Sequence, residues 1–139
     1  MDNTVTLDAQ RPRRIYEKLL RVAPELKDMR DHARSRVSGL MDLNLDVLDR
    51  TAERMRVALS HYWRHPSGDM VADPDMEIAV HLDDALAEGL TYQDTYLYEV
   101  TYPVEGEPPD VEVYARLNEF LEHWLDNLAA QGHVLRIDR

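Results

Sequence analysis

Residues 41–47, Met-Asp-Leu-Asn-Leu-Asp-Val, alternate strictly between apolar and polar side chains. Because successive side chains of a strand point to opposite faces, this pattern predicts a half-buried strand with one face on the core. Residues 55–63 alternate in a similar way after a polar turn at 49–54. The two stretches together predict a β-hairpin.

Two further stretches predict strands after this hairpin. Residues 76–82 again alternate, and residues 92–102 are rich in Tyr, Thr and Val, which are common in strands. Pro103 and the pair Pro108-Pro109 end the last stretch. We therefore expect four strands, arranged most simply as an antiparallel meander.

A short amphipathic helix is predicted near the N-terminus. Ile15, Leu19 and Val22 share one of its faces, and Pro24 ends it. The other side is basic and carries Arg11, Arg13, Arg14, Lys18 and Arg21. Residues 25–33 predict one or two further helical turns.

The strongest helical pattern lies near the C-terminus. Apolar residues recur at helical spacing from Val113 to Leu128, including Phe120 and Trp124, which we expect in the core. Gly132 is placed to end this helix. The sequence thus predicts an α+β fold, in which an N-terminal helix or helices and a long C-terminal helix pack on one face of a four-stranded antiparallel sheet.

The composition is typical of one globular domain. The chain has 139 residues, of which 44% are hydrophobic and 31% are charged. Residues 1–10 have no apolar period and predict a flexible tail, which leaves residues 11–139 as the domain. The sequence has no cysteine, no secretory signal and no apolar run near the ~20 residues of a membrane span. We expect a cytoplasmic protein that does not enter a membrane.

Charge is divided unevenly along the chain. The formal net charge is −11, yet residues 1–64 hold 13 of the 16 Lys and Arg side chains. The 51 residues between Arg64 and Arg116 contain no Lys or Arg, whereas 13 carboxylates fall among them. Such a surface repels nucleic acid and attracts a basic protein. An acidic composition that serves only solubility is the alternative interpretation.

Carboxylates in rows along the strands are the predicted partner-binding residues. Alternate residues of a strand lie ~6.6 Å apart, close to the spacing of successive phosphates, so such rows can imitate a nucleic-acid backbone. The pattern places Asp42, Asp46, Glu77 and Glu99 on the sheet face that the helices leave open. Further candidates are Asp94, Glu105 and Glu107.

Direct binding of nucleic acid has little support. The basic side of the N-terminal helix is a small footprint on a chain of net charge −11. A solvated basic face, or one that neutralises acidic residues elsewhere in the fold, explains the same side chains.

Enzymatic chemistry also has little support from motifs. The glycine-rich loops that bind ATP or NAD are absent, as is the Gly-x-Ser-x-Gly elbow of serine hydrolases, so we expect no cofactor. The alternative is a metal-assisted hydrolase in the segment 61–75, with Asp69, Asp73 and Asp75 near His61. Turn formation around Pro74 is the favoured explanation of these aspartates. A homodimer through the Tyr-rich last strand is a third interpretation.

Two groups of residues resemble an uncharacterised prokaryotic domain of unknown function. The first comprises His61-Tyr62-Trp63, Gly68-Asp69-Met70 and Asp73-Pro74-Asp75-Met76-Glu77. The second comprises Leu117-Asn118-Glu119-Phe120-Leu121, Trp124-Leu125, Asn127-Leu128 and Gln131-Gly132. The resemblance covers about residues 40–132. It implies an α+β fold and a link to plasmids, phages and integrated elements, and it supplies no catalytic residues.

The leading hypothesis from the sequence is a non-enzymatic interaction protein. It would act as a phage or plasmid inhibitor of a host nucleic-acid-handling defence system, of the anti-CRISPR or anti-restriction type. Its acidic residues would bind a basic partner surface that normally holds nucleic acid. The alternatives are the metal-assisted hydrolase and a homodimeric housekeeping protein.

Overall fold

The computed structural model describes residues 6–137 and has an α+β fold. In this range two helices, α1 (Arg11–Val22) and α2 (Val111–Ala130), accompany one antiparallel sheet, and a 3₁₀ turn lies at Leu26–Asp28. Within the same range the sheet has eight strands: β1 (His32–Ser35), β2 (Leu43–Arg50), β3 (Arg54–Arg64), β4 (Met70–His81), β5 (Leu86–Gly89), β6 (Thr91–Gln93), β7 (Tyr98–Val100) and β8 (Arg136–Ile137). The α+β class and the long C-terminal helix are confirmed, and the prediction of four strands is wrong.

Strands β1, β2, β3, β4, β6 and β7 follow one another across the sheet as a meander, and β8 returns to pair with β1 at the opposite edge. Their order is β7-β6-β4-β3-β2-β1-β8, and β5 pairs with β4 next to β6. β3 pairs with both β2 and β4 over most of its length. The centre of the sheet is therefore the predicted hairpin and the strand after it, while β7 and β8 form the two edges.

The additional strands lie where the sequence lacks a clear alternation. Helical turns were expected at 25–33, but only the short 3₁₀ turn forms there and the chain then enters β1. β4 begins at Met70, six residues before the alternating stretch. β5 and β6 occupy a segment that was not assigned, and β8 has only two residues. Pairing with a neighbouring strand decides these segments, which local pattern does not reveal.

Both helices cover the same face of the sheet. The α1 residues Ile15, Leu19 and Val22 are fully buried, as their spacing predicts. The same apolar cluster contains the strand residues Leu43, Leu45, Met55, Val57, Leu59, Met76, Ile78 and Val80 and the α2 residues Leu117, Leu121, Trp124, Leu125 and Leu128. Phe120 was expected in the core but is 37% exposed.

The ends of α2 have defined caps. The Asp110 side chain accepts a hydrogen bond from the Val113 N–H (3.3 Å), and Gly132 has a positive φ of 89° just beyond the last turn, as predicted. Among residues 6–137, neither helix combines the length and the apolarity needed to span a membrane.

The predicted tail, residues 1–10, is described only from residue 6. Residues 6–10 form no helix or strand. The Asp8 side chain nevertheless accepts hydrogen bonds from the Gln10 N–H (3.0 Å) and the Arg14 guanidinium (2.7 Å). Residues 1–5 of the predicted tail lie outside the described part of the chain.

A cluster of charges joins α1 to α2. The Glu122 carboxylate accepts hydrogen bonds from the Arg11 guanidinium (3.0 Å), the Arg14 guanidinium (2.8 Å) and the Lys18 ammonium (2.8 Å). Lys18 also reaches Asp126 at 2.9 Å. The cationic donors, Arg14 foremost, hold the pKa of the nearly buried Glu122 well below its usual range. Much of the basic side of α1 therefore neutralises acidic residues of α2.

We predict that Glu122→Gln lowers the free energy of unfolding by about 1–3 kcal/mol at neutral pH, because three cations then lose their shared counter-ion. The control Glu119→Gln removes a charge from an exposed site on the same helix. Denaturant titration of both variants measures the difference.

The loss in Glu122→Gln should also depend on pH. Since the folded-state pKa of Glu122 is lowered, its contribution is fully present above the ordinary pKa of 4.5 and is lost as the pH falls through the folded-state pKa. Equal stability of the two variants at neutral pH would contradict this role for Glu122.

Candidate functional site

The sheet face opposite the helices is polar, as predicted. In the strand register, Asp46 and Glu77 lie on either side of Ala58. Asp75 lies opposite Ser60 on the same face, next to Glu77 along β4. Asp46 and Glu77 are thus two strand spacings apart, roughly 10 Å, whereas Asp75 and Glu77 have the ~6.6 Å spacing of alternate strand residues.

The predicted carboxylates on this face have partners. Asp46 contacts the His32 Nδ1 at 2.8 Å, Glu77 accepts a hydrogen bond from the Arg56 guanidinium at 2.6 Å, and Arg36 lies 3.4 Å from Asp42. The two cations, Arg36 and Arg56, come from the basic N-terminal half of the chain. The face therefore carries less net charge than its sequence suggests.

Two predicted residues lie elsewhere in the structure. Glu99 pairs with Tyr92 across β6 and β7 and forms an ion pair with Arg116 of α2, which places it on the helix-covered face rather than the open one. Its side chain is only 14% exposed. The assignment of Glu99 to the open face was wrong because Glu99 shares its face with Tyr92, whose ring contacts Phe120 of α2 at 5.2 Å between centroids.

Asp94 holds a turn between β6 and β7. Its carboxylate accepts hydrogen bonds from the Tyr92 hydroxyl (2.7 Å) and from the backbone N–H groups of Tyr96 (2.8 Å) and Leu97 (2.9 Å). These donors, led by the Tyr92 hydroxyl, lower the pKa of Asp94. The Asp94 carboxylate is therefore bound within the turn, and Tyr96 and Leu97 of the same turn are exposed to solvent.

The closest polar contact on the open face joins Tyr62 to Asp75. The Tyr62 hydroxyl donates a short hydrogen bond to the Asp75 carboxylate. Burial raises the pKa of Asp75, assisted by the nearby charges of Glu77 and Asp46, and raises the pKa of Tyr62 to about 12. This pair is half-buried within the polar face.

Glu105 and Glu107 lie in a loop that projects from the fold. We define the acidic loop as residues 103–110, between β7 and α2. The loop is closed by a hydrogen bond from the Asp110 N–H to the Thr101 carbonyl (2.8 Å), and a turn at Gly106 joins the Glu107 N–H to the Val104 carbonyl (3.1 Å). Glu105 and Glu107 are exposed, and no ion pair or side-chain hydrogen bond reaches them from residues 6–137.

The segment 61–75, considered as a metal site, does not bring its candidate ligands together. Asp69 lies in the turn between β3 and β4, and Asp75 is bound by Tyr62 on the open face. Asp73 lines a groove of about 220 Å³ on the other side, with His61 and Trp124. Within the described residues no three His, Asp or Glu side chains are arranged to hold a metal ion.

His61 is oriented by the backbone. Its Nδ1 lies 2.9 Å from the Asp42 carbonyl oxygen, which can only accept, so Nδ1 carries the proton. The ring also contacts Trp124 edge-on at 5.8 Å between centroids. His61 therefore packs as a buried residue that lines the groove, while His65 is exposed.

A search of family models matches residues 14–134 to one described as Domain of unknown function (DUF6908). The chain belongs to this family. The match to DUF6908 runs from the first turn of α1 to the residues before β8, so it includes strands β1–β7 and all of α2. No curated protein and no solved structure matches the chain. The prediction of an uncharacterised domain is confirmed, over a longer range than residues 40–132.

Sequence reasoning missed the contacts that assign these carboxylates. Tyr62 was given no role and Asp75 was placed among metal candidates, but the pairing of β3 with β4 brings the two side chains together. The ion pair of Arg56 with Glu77 had a usable signal in the sequence, since the two residues have opposite charges and both follow the alternation of their strands. No sequence signal separates Glu105 and Glu107 from the paired acids.

We predict that Tyr62→Phe raises the pKa of Asp75 further, because the hydroxyl that favours the ionised carboxylate is lost. The free energy of unfolding should fall by about 1–2 kcal/mol at neutral pH. This loss should shrink in acid, where Asp75 is protonated and needs no donor. Carboxyl NMR titration measures the pKa directly.

Tyr92→Phe is the matched control. Asp94 then keeps two backbone N–H donors, so its pKa should stay below the usual value. An unchanged Asp75 pKa in Tyr62→Phe would show that the hydroxyl contact does not govern this site.

Proposed function

We propose that this protein is a non-enzymatic interaction protein that binds a basic surface of a nucleic-acid-handling partner. The binding surface consists of the acidic loop, through Glu105 and Glu107, together with Glu112 in the first turn of α2. The observation that carries the proposal is the absence, among residues 6–137, of any ion-pair or hydrogen-bond partner for these three side chains. By contrast, Asp42, Asp46 and Glu77 are paired.

The distribution of charge supports this choice. Seven of the 13 carboxylates between Arg64 and Arg116 have no hydrogen-bond or ion-pair partner in the described part of the chain: Asp69, Asp73, Asp83, Asp84, Glu105, Glu107 and Glu112. Several basic residues of the N-terminal half pair with other acids, as Arg14 and Arg56 illustrate. The seven carboxylates therefore leave a negative potential that no ion pair of the described residues offsets.

The composition of the acidic loop also suits an interface. Val104 is 58% exposed beside Glu105, and Val111 is 42% exposed beside Glu112. Pro108 and Pro109 limit the conformations of the free loop, so less entropy is lost on binding. An apolar contact flanked by carboxylates is complementary to a surface where Lys and Arg side chains surround exposed apolar residues.

The partner class follows from the charge. A prokaryotic protein of this kind, carried by a phage, a plasmid or an integrated element, would compete with nucleic acid for the basic site of a host defence complex, of the anti-CRISPR or anti-restriction type. Competition of this kind takes place in the cytoplasm and requires no cofactor and no direct contact with nucleic acid.

We predict that Glu105→Gln/Glu107→Gln/Glu112→Gln weakens partner binding at least about tenfold and reduces its salt dependence, because counter-charges at the interface are lost. Proteins captured from nuclease-treated host lysate at low salt and released at high salt are identified and purified. Affinity is then measured by calorimetry against the wild type and each variant over a range of salt concentrations.

A matched control removes three exposed charges elsewhere: Glu17→Gln/Glu53→Gln/Glu119→Gln. Equal weakening by the control would mean that net charge alone, and not the acidic loop, sets affinity. A lysate from which nothing is captured at either salt concentration, or a partner without a nucleic-acid site, would also overturn the proposal.

A second candidate function is self-association through β7. β7 is the outermost strand at its edge of the sheet. Its first residue, Tyr98, is 60% exposed, and the two residues before it, Tyr96 (95%) and Leu97 (48%), are exposed as well. An exposed edge with aromatic side chains can pair with the same edge of a second copy.

We predict that the wild-type protein sediments as a dimer and that Tyr98→Lys shifts it to a monomer, because a charge at the pairing edge opposes strand addition. Leu48→Lys is the control, since Leu48 is exposed on β2, inside the sheet. A wild-type protein that remains monomeric at all concentrations would exclude this dimer.

A further inference from the structure

An arginine-lined cleft lies at the edge of the sheet formed by β1 and β8. Its volume is about 480 Å³, and its charged lining residues are Arg34, Arg36 and Arg136. Ser35, Gly132 and Val134 complete the lining. We call this site the arginine cleft. It concentrates three cations on a chain whose net charge is −11.

Two of these arginines oppose one another across paired strands. Arg34 and Arg136 are direct register partners in the β1–β8 pairing. Like charges in this position are unfavourable for the sheet. Within residues 6–137 neither guanidinium has an ion-pair or hydrogen-bond partner, and Arg36 has only the exposed Asp42 at 3.4 Å. Among the described residues, no ion pair offsets the repulsion between Arg34 and Arg136.

The C-terminal end of α2 lies nearby, but it does not explain why three arginines lie together in this cleft. The N–H groups of Gln131, Gly132 and His133 donate to the Asn127, Ala129 and Leu128 carbonyls. No hydrogen bond joins the three guanidinium groups to carbonyls of α2 in the described residues. The helix dipole contributes about half a negative charge there, against three full positive charges.

The wall behind the cleft is rigid and polar. Ser35 is 5% exposed, and its hydroxyl lies 2.8 Å from the His133 Nδ1. The Val134 N–H also donates to the Ser35 hydroxyl oxygen (3.0 Å). These bonds fix the turn after α2 against β1, so the cleft is present before any ligand binds.

We propose that the arginine cleft binds a small ligand that carries one or two phosphoryl groups. Guanidinium groups bind phosphate oxygens in pairs, and a bound anion removes the repulsion between Arg34 and Arg136. The cleft volume is in the range of small-molecule sites. This inference is independent of the acidic loop and of the partner proposed for it.

A small ligand fits this site better than a nucleic-acid chain. Nucleic-acid binding draws its affinity from several phosphate contacts along a backbone. Three arginines supply too few, and the rest of a strand would face a chain of net charge −11. A compact phosphorylated ligand meets the cations without crossing the acidic surface.

The test uses inorganic pyrophosphate, a nucleoside diphosphate and a short single-stranded oligonucleotide as probes. Calorimetry of the full chain should show binding of pyrophosphate or of the diphosphate, weakened at least tenfold in Arg34→Gln and in Arg136→Gln. Arg13→Gln removes the same charge from an exposed site on α1 and should leave the affinity within twofold. Amide NMR shifts should centre on Gly132, Val134 and Arg136.

The melting temperature supplies a separate readout. Without ligand, Arg136→Gln should melt at or above the wild-type temperature, because a like-charge pair is removed, so weaker binding is not caused by unfolding. Pyrophosphate should raise the melting temperature of the wild type more than that of this variant. The proposal fails if no phosphorylated probe binds, if Arg13→Gln weakens binding equally, or if affinity grows with oligonucleotide length.

Discussion

The Glu122 carboxylate, held by Arg11, Arg14 and Lys18, is the interaction on which the arrangement of the helices depends. It joins residues more than one hundred positions apart, from the basic start of the chain to its acidic end. Once α1 is fixed against α2 in this way, the apolar faces of both helices close over the same side of the sheet. An apolar core alone tolerates several rotations of α1, whereas three charged contacts to one carboxylate select one.

This contact also changes the meaning of the charge division in the sequence. Several cations of residues 1–64 are paired inside the fold, because Arg11, Arg14 and Lys18 neutralise acids of α2 and Arg56 reaches a carboxylate of the open sheet face. Most of the acids between Arg64 and Arg116 that stay unpaired in the described residues belong to turns and loops, such as Glu105 and Glu107, while Asp73 lies in β4 and Glu112 in α2. The net charge of the chain therefore indicates that the interaction surface is negative. The ion pairs within the fold indicate where on the protein that surface lies.

Local pattern predicted those parts of the fold in which one face is buried along a whole element. Leu43, Leu45, Met55, Val57 and Leu59 and the apolar faces of the two helices follow their expected periods, whereas Met41 is 39% exposed. β8 pairs with β1, about one hundred residues earlier, so it left no local signal. β5 pairs with β4 across a tight hairpin, but its four residues are too few to show an alternation. The face of Glu99 and the contact of Tyr62 with Asp75 depend on strand pairing, which the pattern of a single strand does not show. The opposition of Arg34 and Arg136 exists only through strand register.

The acidic loop and the arginine cleft are far enough apart to act separately. They adjoin opposite edges of the sheet, six strand spacings or roughly 29 Å apart, and opposite ends of the 20-residue α2, about 30 Å long. Both distances exceed the Debye length of ~8 Å, so neither surface neutralises the other in physiological salt. The α2 dipole favours the same arrangement, with Asp110 and Glu112 at its positive end and the arginines at its negative end. One helix thus stabilises a separation of charge that leaves each end free to bind an ion of opposite sign.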